Sequence, residues 1–257
     1  MPNPSVADPF APPPRRPVKI WAVADLHGID PATLLPPPDG CDVAVIAGDI
    51  APLGDFTIKE IESQHVWMNE VLGRWAASRP DLQIVAVPGE HDVFLNRWGF
   101  RRDALRLPKN FHLLIDEDIT ILGLRFYCTP WIPWSGGKWE FEAKDWRLEQ
   151  EWYDSIPKGT DVLVCHAAPR VEGLSVDCKC QYQTERMRHL GSEFLTDSIS
   201  RARPALCVFG HVHSGDHAPY RLRCGTVIRN VSVLDEDFIV SFPPAVFNIK
   251  PRSRKSP

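Results

Sequence analysis

The 257-residue sequence contains no apolar run approaching the ~20 residues that a membrane-spanning helix needs. It has no basic excess either. Its 29 Lys and Arg face 33 Asp and Glu, for a formal net charge of −4. A general nucleic-acid binder carries a basic surplus or stripe, so no stable nucleic-acid partner is expected. The opening residues lack the charged-then-apolar pattern of a secretion signal, and none is expected. No internal repeat and no Gly/Ser-rich linker divides the chain, so one large domain over residues 18–249 is the expected organisation. Cysteine is sparse and odd in number, with seven at positions 41, 128, 165, 178, 180, 207 and 224. Several lie in strand-like runs (CDVAVI, VLVCHA, ALCVFG), where Cys packs as a small hydrophobe. A reduced, cytoplasmic protein is therefore expected. Cys178 and Cys180, in DCKCQ, are a CxC that could bind metal or oxidise, but no second Cys/His pair nearby completes a zinc-like set.

Proline is concentrated at the start. Residues 1–17 hold seven prolines and little apolar surface, which reads as an extended or disordered arm, and residues 250–257 form a basic tail. Between them strand and helix patterns alternate. Ile58, Ile61, Met68, Val71, Leu72 and Trp75 recur near helical spacing and stop before Pro80. Further helices are expected at 97–106, 144–155 and 190–203. The run FHLLIDEDITILGLRFYCT reads as two or three strands with Asp116-Glu117-Asp118 as a turn.

Five apolar runs end in residues able to bind metal: VKIWAVADLH, CDVAVIAGDI, LQIVAVPGEHD, DVLVCHA and ALCVFGHVH. In α/β sheets, sites form beyond the carboxyl ends of the strands. The five ends would gather Asp25, His27, Asp49, Glu90, His91, Asp92, His166, His211 and His213 along one edge. A single DLH or GD is more often a turn or a cap than a ligand pair. The coincidence of five blocks is what carries the metal reading, since five of the nine histidines fall in them. Imidazole and carboxylate donors without thiolate favour Mn, Fe or Zn over Ca. The ligand set exceeds the needs of one tetrahedral ion and suits two ions sharing a carboxylate. Such a pair, ~3.5–4 Å apart, clamps the attacking and leaving oxygens of a phosphoryl transfer.

In that order Asp25-Leu26-His27, Gly48-Asp49, Gly89-Glu90-His91-Asp92, His166 and Gly210-His211-Val212-His213 resemble the five motifs of the calcineurin-like metallophosphoesterases. TPWIPWSGGKWEF, IPKGTDVLVCHAAP and NVSVLDEDFIVSFPPAVFNI resemble the metallophosphoesterase-domain-containing branch. The resemblance implies an α/β fold of four layers, an α/β/β/α sandwich. It implies one metal held by Asp25, His27, Asp49 and His213, and a second held by Asp49, Glu90, His166 and His211. It implies His91 at the phosphate as general acid or transition-state stabiliser, with Asp92 orienting it. The branch implies phosphodiester hydrolysis, with nucleotides or cyclic nucleotides among the candidate substrates. Two transition-metal ions are the implied cofactors, an Fe(III)–M(II) pair included.

The sequence departs from the family pattern at one ligand, where the usual G-N-H-[DE] has Glu90 in place of Asn. The extra negative charge would offset the positive surplus that attracts a phosphate. Substrate contacts are less defined. Trp131, Trp134 and Trp139 fall in a segment carrying five of the nine tryptophans, where packing onto the sandwich is favoured over stacking on a nucleobase. Arg97, Arg101 and Arg102 follow the GEHD block and are candidates for phosphate binding or for a solvated face. Arg170 is the better candidate, because its loop starts at His166. The competing readings are a nuclease of the same superfamily and an interaction module that keeps the fold with weakened catalysis. The sequence leaves homo-oligomerisation open.

Overall fold

The computed structural model describes residues 16–54, 57–95, 105–171, 190–213 and 215–252. Its strands are β1 (Val18–Val23), β2 (Val43–Ala47), β3 (Gln83–Val87), β4 (Phe111–Leu113), β5 (Glu117–Ile121), β6 (Leu124–Thr129), β7 (Val162–Cys165), β8 (Leu206–Phe209), β9 (Tyr220–Arg221), β10 (Val227–Asn230) and β11 (Ala245–Ile249). They form two sheets, ordered β11-β1-β2-β3-β4 and β5-β6-β7-β8-β10-β9. The inner strands β1, β2 and β3 run parallel, as do β6, β7 and β8. β11 returns antiparallel to close the β1 edge.

Strand periodicity explains why these sheets stack. In β2, Val43, Val45 and Ala47 face the second sheet, whereas Ala44 and Ile46 face the helices. The intersheet core adds Leu124, Phe126, Val162, Val164, Leu206 and Val208. On the outer face of the first sheet, Trp21, Ile84 and Ala86 pack against Ile61, Met68, Leu72 and Trp75. On the outer face of the second, Leu163, Cys165 and Cys207 meet Tyr153, Ile156, Leu195 and Ile199. Each fully buried aliphatic side chain contributes roughly 1.5–3 kcal/mol of transfer free energy. The result is the four-layer α/β/β/α sandwich.

The helical pattern from Ile58 is confirmed with a local change. Helix α1 (Ile58–Trp67) passes through a π-helical turn (Met68–Leu72) into α2 (Gly73–Ala77). The expected helices near 144 and 190 are α3 (Trp146–Asp154) and α4 (Glu193–Ala202). They start later than expected because Asp145 and Ser192 serve as N-caps, accepting N–H groups of the first turn. The expected helix at 97–106 lies largely outside the described residues, as do Arg97, Arg101, Arg102, Cys178 and Cys180. Asp116 sits at a bend, but Glu117 and Asp118 do not. They pair with Cys128 and Tyr127, because the left-handed pair Leu122-Gly123 turns the β5–β6 hairpin and fixes that register.

Cys128, Cys165 and Cys207 are buried and free, as small core hydrophobes. Arg252, from the expected basic tail, reaches the buried Asp161 at 3.5 Å. Among the described residues no helix is long and apolar enough to cross a membrane.

Candidate metal centre

The carboxyl ends of β1, β2 and β3 in one sheet meet those of β7 and β8 in the other, and every strand-end block arrives at this junction. The loops after β1 and β2 are zipped together: Asp25, His27 and Gly28 donate their N–H groups to the carbonyls of Gly48, Asp49 and Ile50. Asp25, His27, Asp49 and His211 all adopt positive φ, between 43° and 67°. Non-glycine residues rarely take that conformation, and its concentration here marks a site that the surrounding structure holds under strain.

The side chains fall into overlapping sets. Ligand atoms of Asp25, His27 and His213 lie within 4.8 Å of one another, and so do those of Glu90, His166 and His211; Asp25, Asp49 and His166 form a third such set, and Asp49, Glu90 and His91 a fourth. Asp49 stands between the first two. Its Oδ2 is 3.5 Å from His27 Nε2, and its Oδ1 is 3.5 Å from His166 Nε2. Glu90 splits in the same way, with Oε1 at 2.7 Å from His211 Nδ1 and Oε2 in a short contact with His166 Nε2. Asp25, Asp49 and Glu90 are all buried. A Cβ at Gly89 would lie 2.7 Å from His166 Nε2 and closer still to Asp49 Oδ1, so the backbone approaches the site where no side chain fits.

The hydrogen bonding of the rings tests whether metal ions fit. His166 Nδ1 lies 3.0 Å from the Ala47 carbonyl, and His213 Nδ1 lies 3.0 Å from the Asp235 carbonyl. A carbonyl can only accept, so each Nδ1 carries the proton and each Nε2 presents a lone pair. Those lone pairs face carboxylate oxygens, Asp49 Oδ1 at 3.5 Å and Asp25 Oδ1 at 3.8 Å. Acceptor facing acceptor in a dry interior is unfavourable unless a cation lies between them. Burial opposes a charged His166, yet Asp49 and Glu90 hold its pKa well above the ordinary imidazole value, so the two carboxylates favour positive charge at this position. His27 behaves oppositely. Burial outweighs the pull of Asp49 and Asp25 and lowers its pKa to about 4, which keeps the ring neutral, as a ligand must be. Its Nδ1 is also buried without a hydrogen-bond partner. The donor set fits two metal ions, and Asp25, His27, Asp49, Glu90, His166, His211 and His213 are the residues that would hold them.

His91 differs from the other rings. Its side chain is 20% exposed, against 0–11% for His27, His166, His211 and His213. Its backbone N–H donates to Asp49 Oδ1 at 2.9 Å, and its ring sits 3.9 Å from Glu90 Oε1 through Nε2. It is thus beside the ligands and open to solvent. Asp92 does not orient it. The Asp92 carboxylate instead accepts N–H groups from Ile50, Ala51 and Gly89 at 2.8–3.0 Å, staking the β3 loop onto the β2 loop. Burial and the neighbouring Asp49 charge push its pKa up.

Of the candidate substrate contacts, Trp131 packs within the protein, the reading favoured for its segment, and Arg170 is ion-paired. The Trp131 ring stacks on Trp152 at 3.5 Å, and its Nε1 donates to Asp116 at 2.6 Å. Arg170 pairs with Glu193 at 3.0 Å. Conversely, sequence reasoning passed over Gln64. It is buried and donates to the carbonyls of Pro52 (2.7 Å) and His91 (2.8 Å), while accepting from Phe94 N–H. It sits where the Ile61–Met68 stripe calls for an apolar residue, and that mismatch was the available signal.

A two-sheet sandwich with carboxylate and imidazole ligands on its parallel strand ends defines a metallophosphoesterase-type centre. The calcineurin-like phosphoesterase family model matches residues 18–215, and the chain belongs to that family. Family membership implies hydrolysis of phosphoesters. The chain is 27% identical to metallophosphoesterase domain-containing protein 1 of Homo sapiens over 284 residues, covering 99% of this chain and 78% of that protein. The Mus musculus protein of the same name matches to the same extent. Solved structures share the fold. They include a dimetal phosphatase from Danio rerio (TM-score 0.55, 10% identity, 92% of this chain and 93% of that one). Another is the phosphopantetheinyl hydrolase of Mycobacterium tuberculosis (TM-score 0.53, 16% identity, 95% and 99%).

Proposed function

We propose that this chain is a dinuclear phosphodiesterase, with Asp25, His27, Asp49 and His213 holding one ion and Asp49, Glu90, His166 and His211 the other. The observation that carries this reading is the division of Asp49, whose two oxygens each face an imidazole of a different set. Two bound ions would supply positive charge at the phosphoryl oxygens and make a water acidic enough to attack. His91 contributes the proton transfer. It is the exposed imidazole of the group, placed to donate to the departing alkoxide. Asp92 and Gln64 hold the His91 loop in place through backbone groups rather than through its ring.

Glu90 supports a diester over a monoester. Asp25, Asp49, Glu90 and the hydroxide nucleophile would bring four negative charges against the four of two divalent ions. Losing the surplus that an Asn would leave costs a doubly charged monoester more attraction than a singly charged diester. The metal-reconstituted protein is therefore expected to turn over bis-p-nitrophenyl phosphate faster than p-nitrophenyl phosphate. A clear preference for the monoester would contradict the diester assignment.

The charge argument makes a second prediction. Glu90→Asn should raise turnover with Mn by about tenfold, the effect of ~1.4 kcal/mol on the barrier, and should favour monoesters most. It should also weaken retention of a trivalent ion. Activity and metal content of the two proteins, measured side by side, decide the matter. Lower activity with one ion lost would mean that the site is built around the longer side chain.

A further inference from the structure

Phe238 occupies a costly position. It is 47% exposed, and its φ of 58° is one that bulky residues rarely adopt. Its ring centroid lies 5.2 Å from that of His27 and 5.2 Å from that of His213. The turn that carries it is built to hold this conformation. The Asp235 carboxylate accepts the N–H groups of Asp237 and Ile239 at 3.0 Å and the Ser241 hydroxyl at 2.5 Å, and Phe238 N–H donates to the Asp235 carbonyl. That same carbonyl receives His213 Nδ1, so one turn positions both a candidate ligand and the exposed ring.

A second aromatic ring, half-buried, adjoins the same centre. Trp139 lies 4.5 Å from His91 between ring centroids. Its loop is staked by the buried Glu142 carboxylate, which accepts the N–H groups of Ser135, Gly137 and Trp139. His91 and His27 are 5.1 Å apart, so Phe238, His27, His91 and Trp139 form a continuous row of rings along the centre.

We propose that Phe238 and Trp139 are specificity-determining residues, an aromatic seat for the planar organic group of the phosphoester, either a nucleobase or a simple aryl ring. The proposal rests on the phosphoesterase assignment. With the phosphate at the ions, an ester substituent directed along this row lies against the rings. A planar substituent gains stacking there that an alkyl group does not. Both turns are fixed by buried or multiply bonded carboxylates, so the seat needs little ordering on binding.

Calorimetric titration of the metal-loaded full chain tests the seat independently of turnover, using inorganic phosphate, methyl phosphate, phenyl phosphate and adenosine 5′-monophosphate. The wild type is expected to bind one or both planar esters roughly 5- to 100-fold more tightly than methyl phosphate, the range of a single stack. Phe238→Leu, which keeps apolar bulk, should remove most of that preference while metal content and inorganic phosphate binding stay unchanged. Trp139→Leu should act the same way. Tighter binding of the nucleotide assigns the seat to a nucleobase, and tighter binding of the phenyl ester assigns it to an aryl group. Equal affinity for methyl and planar esters in the wild type overturns the seat. So does Phe238→Leu weakening all four ligands alike, which would make the ring a shield for the metals. If the metal-loaded wild type binds none of the four, the seat falls; the phosphodiesterase assignment falls only if the same protein also fails to turn over bis-p-nitrophenyl phosphate.

Discussion

Asp49→Ala is expected to lose both metal ions and all metal-dependent turnover. The carboxylate serves two sets at once, with Oδ2 toward His27 and Oδ1 toward His166. It also accepts the His91 N–H at 2.9 Å, so its removal takes away one tie of the loop that carries Glu90. A non-bridging ligand would cost one ion and leave the other. Elemental analysis of the variant distinguishes the cases, because one retained ion per chain would show that Asp49 belongs to a single set. Asp49→Asn is the companion variant. It keeps shape and the oxygen facing one set, and should retain one ion while losing most activity. Circular dichroism that matches the wild type would confirm that the loss is local.

His91→Ala is expected to keep both ions while lowering kcat by roughly 10²–10⁴-fold, the usual contribution of a positioned acid or base. The metal content should survive because the bond from residue 91 to Asp49 is made by the backbone N–H, which the substitution leaves intact. The loss should shrink for substrates with good leaving groups, since a stable phenolate needs less protonation than an alkoxide. A p-nitrophenyl diester compared with an alkyl diester reads this directly. Equal losses on both would place His91 in charge stabilisation instead of proton donation, and full activity on both would remove it from the chemistry.

Much of the centre was legible before any fold was known, for a physical reason. An apolar run that stops at an ionisable residue announces a strand end, and parallel strands bring such ends to one edge. The layer order was less visible. β2 is buried along its whole length, so its alternation between the two cores leaves no polar–apolar period to read. The π-helical turn at Met68–Leu72 is equally silent in the hydrophobic pattern. Asp92 shows where adjacency misleads. Its neighbour in sequence is His91, but the tight turn sends its carboxylate back to Gly89 and across to Ile50 and Ala51. Phe238 lies far along the chain from His27 and His213, and Gln64 from His91, and only the folded packing of loops brings them together. The tryptophan-rich segment favours packing over substrate stacking, and Trp131 follows that reading, stacked on Trp152 and bonded to Asp116.

The most direct test of the two-ion centre is a titration of the metal-free chain with Mn(II), followed by electron paramagnetic resonance and elemental analysis. Two ions per chain, giving the spectrum of a magnetically coupled pair, is the predicted result, because ions sharing the Asp49 carboxylate must sit close enough to couple. One ion per chain at saturation, or two that give only the signal of isolated Mn(II), would contradict a dinuclear centre bridged by Asp49.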